Sequence, residues 1–301
     1  MKTRIFTLLL SGLLVSAAAA ADTAYQPFIL ASNGDAGLAE QTAMAAAALE
    51  AAGFTVAGQY SPVDNANVIV VTSPELQAIA ARSAKGGYAA GQRISVTERE
   101  GRTEVAFVNP LYIQYAYRLE GDMQPIYDRL AAALGEVEPF GAEKKMTAKK
   151  LGKYHYMIGM QRFDDPSELG SFESHEAAVA AVQEGLAAPG DALSLVYRID
   201  LPGKQQTVFG VGMRATGDIE EEIDIDAAHQ LSIVDFDGYG KAAYFPYEIL
   251  VDGANVEALH MRFRMAVHFP DLDMMGEHGF TKLMSSPGAT EDALRALVAR
   301  P

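Results

Sequence analysis

Histidine and methionine side chains concentrate near the carboxyl end of the sequence, where they could bind a soft metal ion. Three of the six histidines lie in residues 260–278, and the chain has no cysteine. Imidazole and thioether groups suit Cu(I) where thiolate is absent, which makes copper the candidate cofactor. The alternative is that these histidines have structural roles. The candidate metal ligands, brought together by a turn at Pro270, are His268, Met274, Met275 and His278.

The residues just before this cluster predict a second kind of site. Asp252-Gly253 is a turn pair typical of β-hairpins, so residues 254–269 are expected to form a strand. Alternate side chains of a strand share one face, so His260, Arg262 and Arg264 would project together. Arginine matches the oxygen pairs of carboxylate and phosphate groups. These three side chains are therefore candidate ligands of a small anion, unless they pair with carboxylates of the same chain.

Charge and composition restrict the class of protein and of partner. The chain of 301 residues has 24 lysines and arginines against 39 aspartates and glutamates, a net charge of −15. Such a negative chain repels phosphate backbones and anionic membrane surfaces, which argues against nucleic acid as a partner. With 49% hydrophobic and 21% charged residues, it has the composition of a globular protein.

Catalysis is the less favoured hypothesis, and no catalytic residue is assigned. Ser285-Ser286 lies near His278 in the sequence, but no Gly-x-Ser-x-Gly elbow surrounds either serine. The carboxylate pair of Asp235-Phe236-Asp237 stands in a loop and is typical of a turn. The favoured function is non-catalytic binding of a small anionic ligand or a transition metal. The alternatives are an enzyme of unknown reaction and a module that binds a protein partner.

Residues 1–21 have the pattern of a secretory signal peptide. Two basic residues precede a short apolar run, and Ala19-Ala20-Ala21 fits the small-x-small pattern before a cleavage site. Cleavage after Ala21 would leave 22 basic and 39 acidic residues, a net charge of −17. No later stretch is apolar and long enough to span a bilayer. An exported chain without cysteine is expected in a bacterial periplasm.

The rest of the sequence divides into two halves of similar pattern, which predicts an internal duplication. The predicted units are a first domain over 22–142, a lysine-rich linker over 143–153 and a second domain over 154–301. Each half is expected to be a small α+β domain, a mainly antiparallel sheet with helices on one face. In order, the paired elements are an opening strand (25–30 and 154–160), an alanine-rich helix (40–52 and 175–188), two strands, a Gly-turn hairpin (92–108 and 244–269) and a closing helix (125–134 and 290–299, the latter capped by Thr290).

The order of several short motifs in the first half resembles DUF302, a small bacterial domain of unknown function. The resemblance covers roughly residues 40–115, and the second half follows the same order with departures. It implies a compact α+β fold and no settled activity, so no catalytic residue is carried over. The motifs are Gly53-Phe54-Thr55-Val56, Val68 to Leu76 with Ser73-Pro74, Arg93 to Glu98, Glu100-Gly101 and Val108-Asn109-Pro110.

Overall fold

The computed structural model of the protein describes residues 23–187, 192–216 and 220–299. The predicted signal segment, residues 1–21, lies outside them. Residues 23–153 are called here the first half and residues 154–299 the second half.

The first half contains eight strands and five helices in the described residues. Ser73 caps the second helix, because its hydroxyl accepts a hydrogen bond from the Leu76 backbone N–H at 3.2 Å. Glu100 and Gly101, at φ values of 53° and 76°, form the predicted hairpin turn. The elements are β1 (Ala24–Tyr25), β2 (Phe28–Gly34), α1 (Leu38–Ala51), β3 (Thr55–Val63), β4 (Ala66–Thr72), α2 (Pro74–Arg82), β5 (Gln92–Arg99), β6 (Arg102–Val108), α3 (Pro110–Ala116), α4 (Gln124–Leu134), β7 (Glu138–Phe140), β8 (Met146–Thr147) and α5 (Ala148–Leu151).

The second half repeats much of this order. Its hairpin turns at Gly253, whose φ is 58°. The elements are β9 (Ser167–Ser171), α6 (His175–Ala187), β10 (Leu193–Asp200), β11 (Gln206–Met213), α7 (Glu220–Ile223), α8 (Ala227–Val234), β12 (Tyr247–Asp252), β13 (Asn255–Ala258), α9 (Met261–His268) and α10 (Ser286–Val298).

The two main sheets are antiparallel and share one strand order. The first sheet runs β3-β4-β5-β6-β2-β7 and the second runs β10-β11-β12-β13-β9. Helices α1 and α4 pack on one face of the first sheet, with Ile69, Val71 and Phe107 beneath them. Helices α6 and α10 cover the second sheet. This confirms the expected α+β class with helices against mainly antiparallel sheets.

The faces of the two sheets that are free of these helices pack against each other. Phe28, Val68 and Val70 of the first half belong to the same buried cluster as Ile199 and Leu250 of the second. The molecule therefore has four layers, in the order helices, sheet, sheet, helices. A continuous apolar core joins the halves.

The strand register places residues of the two halves in equivalent positions. A β-bulge lies between Val56 and Gly58 in β3, and another lies between Leu195 and Tyr197 in β10. Beyond the bulge, the first sheet pairs Gly58 with Val70 and Val70 with Arg93. The second sheet pairs Tyr197 with Gly210 and Gly210 with Glu248. Arg93 and Glu248 therefore hold the same position in their respective sheets.

Three of the local predictions are wrong. Residues 154–160 form no strand, and the second half begins its sheet with β9. The predicted long strand over 254–269 ends at Ala258 and is followed by helix α9. Thr290 does not cap the last helix, which begins at Ser286 and buries the Thr290 side chain.

The lysine-rich segment 143–153 has regular structure of its own. Met146 and Thr147 pair with Tyr25 and Ala24 in a two-stranded sheet. Thr147 then caps α5 by accepting a hydrogen bond from the Lys150 backbone N–H. Among the described residues, no helix has both the length and the apolar character that crossing a membrane requires.

Candidate functional site

A large groove in the described part of the molecule is built by segments that distinguish the two halves. Its volume is about 1030 Å³. One wall is β7 and the residues after it, a sixth strand that the described part of the second sheet lacks. The second wall is residues 234–241, from a β11–β12 connection that contains α7 and α8. The third is residues 269–278, from a connection between α9 and α10 that is longer than its counterpart at 117–123.

Contacts between these three segments hold the groove together. The Tyr239 hydroxyl donates to the Glu138 carboxylate at 2.8 Å, and the Tyr239 ring lies edge-on to Phe140 at 5.3 Å. The Phe236 ring stacks on the His278 imidazole, with centroids 4.2 Å apart. The Glu143 backbone N–H donates to the Asp271 carboxylate. Each segment thus contacts another, so the groove is a shaped part of the fold.

The lining of the groove combines negative charge with exposed apolar and aromatic surface. Phe236 is 51% exposed and Met275 is 74% exposed. Five carboxylates face two lysines, which leaves three excess negative charges with histidine neutral. The charged lining residues are Glu143, Asp237, Asp271, Asp273 and Glu277, with Lys144 and Lys241.

The contacts of Lys241 illustrate how this lining binds an ammonium group. Its Nζ donates to the Asp237 carboxylate at 2.6 Å and to the Asp237 carbonyl at 3.0 Å. The same Nζ lies 5.8 Å from the centroid of the Phe236 ring. A carboxylate beside an aromatic face is a favourable environment for a cation.

Helix α9 separates the three residues predicted to bind an anion. Residues two positions apart on a helix point to different sides, whereas the prediction required a strand. The His260 ring caps α9 by accepting from the Arg262 backbone N–H at 3.2 Å, and its Nε2 lies 3.9 Å from Glu291. Arg264 is fully buried and contacts Glu248 at 3.6 Å. The expected internal pairing thus accounts for Arg264, while Arg262 lines a small apolar pocket with Met265 and Phe280.

The predicted metal ligands are also distributed over different environments. His268 is fully buried, with Nδ1 2.8 Å from the Arg264 carbonyl and Nε2 3.0 Å from the Arg93 guanidinium. Burial holds the pKa of His268 well below 6.5, and Arg93 and Arg264 lower it further. Met275 and His278 line the groove instead. In the ranges that the structure covers, no group of three or more histidine, aspartate or glutamate side chains could hold a metal ion.

Several residues of the groove carried no clear signal in the sequence. Phe236 and Asp237 belong to the Asp235-Phe236-Asp237 motif, for which the sequence predicted a turn without a binding role. Asp235 itself pairs with Arg99 at 3.0 Å and accepts from the Lys241 backbone N–H. Asp273 and Glu277 lie in the segment that the metal hypothesis examined only for histidine and methionine. The proximity of these segments to β7 depends on the packing of the two halves.

Comparisons with known proteins return one similar structure. No family model matches the chain, and no curated protein matches it. The crystal structure of an uncharacterized conserved protein, DUF302, from Bacillus stearothermophilus is similar to 36% of this chain and 94% of its own. The aligned residues are 19% identical, and the TM-score is 0.32.

Proposed function

We propose that this protein is a non-catalytic binding protein that holds an organic cation in the groove between its halves. The observation that carries this proposal is the groove of about 1030 Å³ with its excess of carboxylates. Ligand sites are typically concave and carry a few polar groups on a largely apolar surface. The groove is concave, and Phe236 and Met275 present apolar surface beside its carboxylates.

The charge of the groove favours a cation over the anion expected from the sequence. That expectation required a shared face for His260, Arg262 and Arg264, which α9 does not provide. The contact of Lys241 with Asp237 and Phe236 indicates the binding mode for an external ammonium group. Carboxylates spread along the groove suit a chain with two or more ammonium groups joined by methylenes, such as a polyamine.

Titration with spermidine, a triamine, tests the proposal by calorimetry at low salt. The double variant Asp273→Asn with Glu277→Gln removes two exposed carboxylates of the groove. We expect binding by the wild type and roughly tenfold weaker binding by the variant, since two exposed charge contacts are each worth about 0.5–1 kcal/mol. High salt should weaken the wild-type interaction.

A matched control separates the groove from the net charge of the protein. Glu40→Gln with Glu50→Gln makes the same charge change on the exposed surface of α1. This control should bind spermidine like the wild type. Equal weakening in both double variants, or no binding by the wild type, would reject the cation site.

We also propose that the protein is exported to the periplasm and that its halves are tandem copies of one domain. Residues 1–21 support export, and the shared strand order and matching bulges support the duplication. Cell fractionation with mass determination tests export, since the exported chain should begin at Asp22. A full-length chain in the cytoplasm would reject it.

A further inference from the structure

Three charged side chains are enclosed together where the two sheets meet. The Arg93 guanidinium donates to Glu248 at 3.0 Å, and Arg264 lies 3.6 Å from the same Glu248 oxygen. These side chains are 4%, 0% and 2% exposed for Arg93, Arg264 and Glu248, respectively. Two permanent cations therefore share one carboxylate in the interior.

The other titratable groups around this cluster do not supply the missing negative charge. Burial lowers the pKa of His268, so its ring is neutral. Burial raises the pKa of Tyr197 and Tyr247 well above 10. Glu257, the nearby carboxylate on β13, is already paired with Lys85. The cluster keeps one excess positive charge, which is costly in a buried position.

Donor groups in the same place have no acceptor. Arg264 donates through Nη2 to the carbonyls of Tyr244 and Pro246, at 2.5 and 2.7 Å. Its Nε and Nη1 have no acceptor among the described residues, and the O–H protons of Tyr117 and Tyr244 have none either, because the oxygens of these hydroxyls lie beside the donors Arg93 and Arg264, respectively. Both tyrosines are at most 1% exposed. Native structures rarely leave buried donors of this kind unpaired.

The hydroxyls of Tyr117 and Tyr244 lie within electrostatic reach of the guanidinium groups. The Arg264 guanidinium carbon is 4.3 Å from the centroid of the Tyr244 ring. Burial raises the pKa of Tyr117 to about 12, although the charge of Arg93 lowers it. Arg264, Tyr117 and Tyr244 thus form one buried group, in which the charge of Arg264 acts on both hydroxyls and the net charge is positive.

We propose that this region is a binding site for a small monovalent anion of the size of chloride, enclosed between the halves. A water molecule would accept hydrogen bonds from these donors but would leave the excess positive charge. A monovalent anion would accept the same hydrogen bonds and would also neutralise that charge. The site is separate from the groove and does not depend on the proposed cation binding. It uses Arg264 without His260 and Arg262, unlike the exposed anion site expected from the sequence.

Crystals prepared in bromide test the site directly. The protein is unfolded and refolded in sodium bromide without chloride, so that the enclosed ion exchanges, and is then crystallised in the same salt. We expect an anomalous peak within hydrogen-bond distance of Arg264 Nε or Nη1. Bromide confined to the surface, or water at Arg264, would overturn the proposal.

Thermal unfolding at constant ionic strength provides a second test, with chloride replacing gluconate. The wild-type Tm should rise by about 3 °C for each tenfold increase in chloride above the dissociation constant. Arg264→Met removes the excess charge but leaves the pair of Arg93 and Glu248, so its Tm should no longer depend on chloride. Arg102→Met, at a half-exposed surface pair with Asp35, should keep the wild-type dependence.

Either measurement can contradict the proposal without the other. A wild-type Tm that does not respond to chloride, or an equal response in Arg264→Met, would contradict the anion site. If Arg264→Met does not fold, the bromide crystals of the wild-type protein decide the question.

Discussion

The two halves share a strand order, yet they differ at the position where they meet. Arg93 and Glu248 occupy the same register position in their sheets and form a buried ion pair with each other. Identical residues at this position would place two like charges side by side. The contact therefore requires halves that are equivalent in backbone but different in sequence.

The helices that follow the hairpins show the same relation. Asn109 caps α3 by accepting hydrogen bonds from the Leu111 and Tyr112 backbone N–H groups. His260 stands at the equivalent place before α9 and caps it through a single such bond. Counting from these caps, Tyr117 in the first half corresponds to His268 in the second. A shared backbone thus holds Asn109 and Tyr117 in the first half where the second half has His260 and His268.

The two halves also differ in the segment that each places on the sheet of the other. The first half places residues 83–87 on the second sheet, where Lys204 and Gln206 bond to the Ala84 carbonyl. The second half places the turn at Gly240 on the first sheet, where Glu104 accepts from the Gly240 backbone N–H. Beside this second contact, the additional segments of the second half and β7 leave a groove. Extra segments placed around a shared core have thus produced this groove.

The largest effect is expected from breaking the ion pair that joins the halves. Glu248→Gln leaves Arg93 and Arg264 buried without a carboxylate, and should lower the free energy of unfolding by about 3–5 kcal/mol. Urea denaturation measures this loss. Asp200→Asn, which breaks an exposed pair with Arg198, should cost less than about 1 kcal/mol. Similar losses in the two variants would contradict the central role of the pair.

A pH effect should distinguish His268 from its counterpart Tyr117. Burial lowers the pKa of His268 in the folded state, so the unfolded chain binds a proton more readily. The contribution of His268 to the free energy of unfolding is then fully present above its unfolded pKa of about 6.5, and it falls as the pH drops below that value. Between pH 7.5 and pH 5.5 the contribution of His268 should fall by an amount on the order of 1 kcal/mol.

Urea denaturation of wild type and His268→Gln at both pH values isolates this contribution. The variant should lose less stability on acidification than the wild type, with the remaining loss including that of His260, whose pKa burial also lowers. Parallel pH dependences in the two proteins would show that His268 does not titrate as inferred.

The smallest effects are expected from the two helix caps. Asn109→Ala removes two hydrogen bonds to the start of α3 and should cost about 1 kcal/mol. His260→Ala removes one and should cost less. His260→Asn transfers the first-half cap to α9, and denaturation should find it at least as stable as the wild type. A large loss in His260→Asn would indicate a role for the ring beyond capping.

Local signals in the sequence predicted much of the fold. Ser73-Pro74 marked the start of α2, and Gly turns marked both hairpins, because backbone conformation at these sites depends on a few adjacent residues. The prediction failed at 259–269, where apolar residues at every second position resembled a strand. His260 is a less usual cap than Asn109, so the start of α9 carried a weak signal. This error removed the basis for the exposed anion site that the sequence predicted at His260, Arg262 and Arg264.

By itself, the sequence determined the α+β class, the similar order of elements in the two halves and the absence of thiol chemistry, since composition and short-range patterns contain this information. Tertiary structure alone decided which charges are buried and which segments share a groove. Arg93 and Glu248 are 155 residues apart, and no local pattern records such a pairing. Burial of both follows from the packing of one sheet on the other, which depends on the whole core.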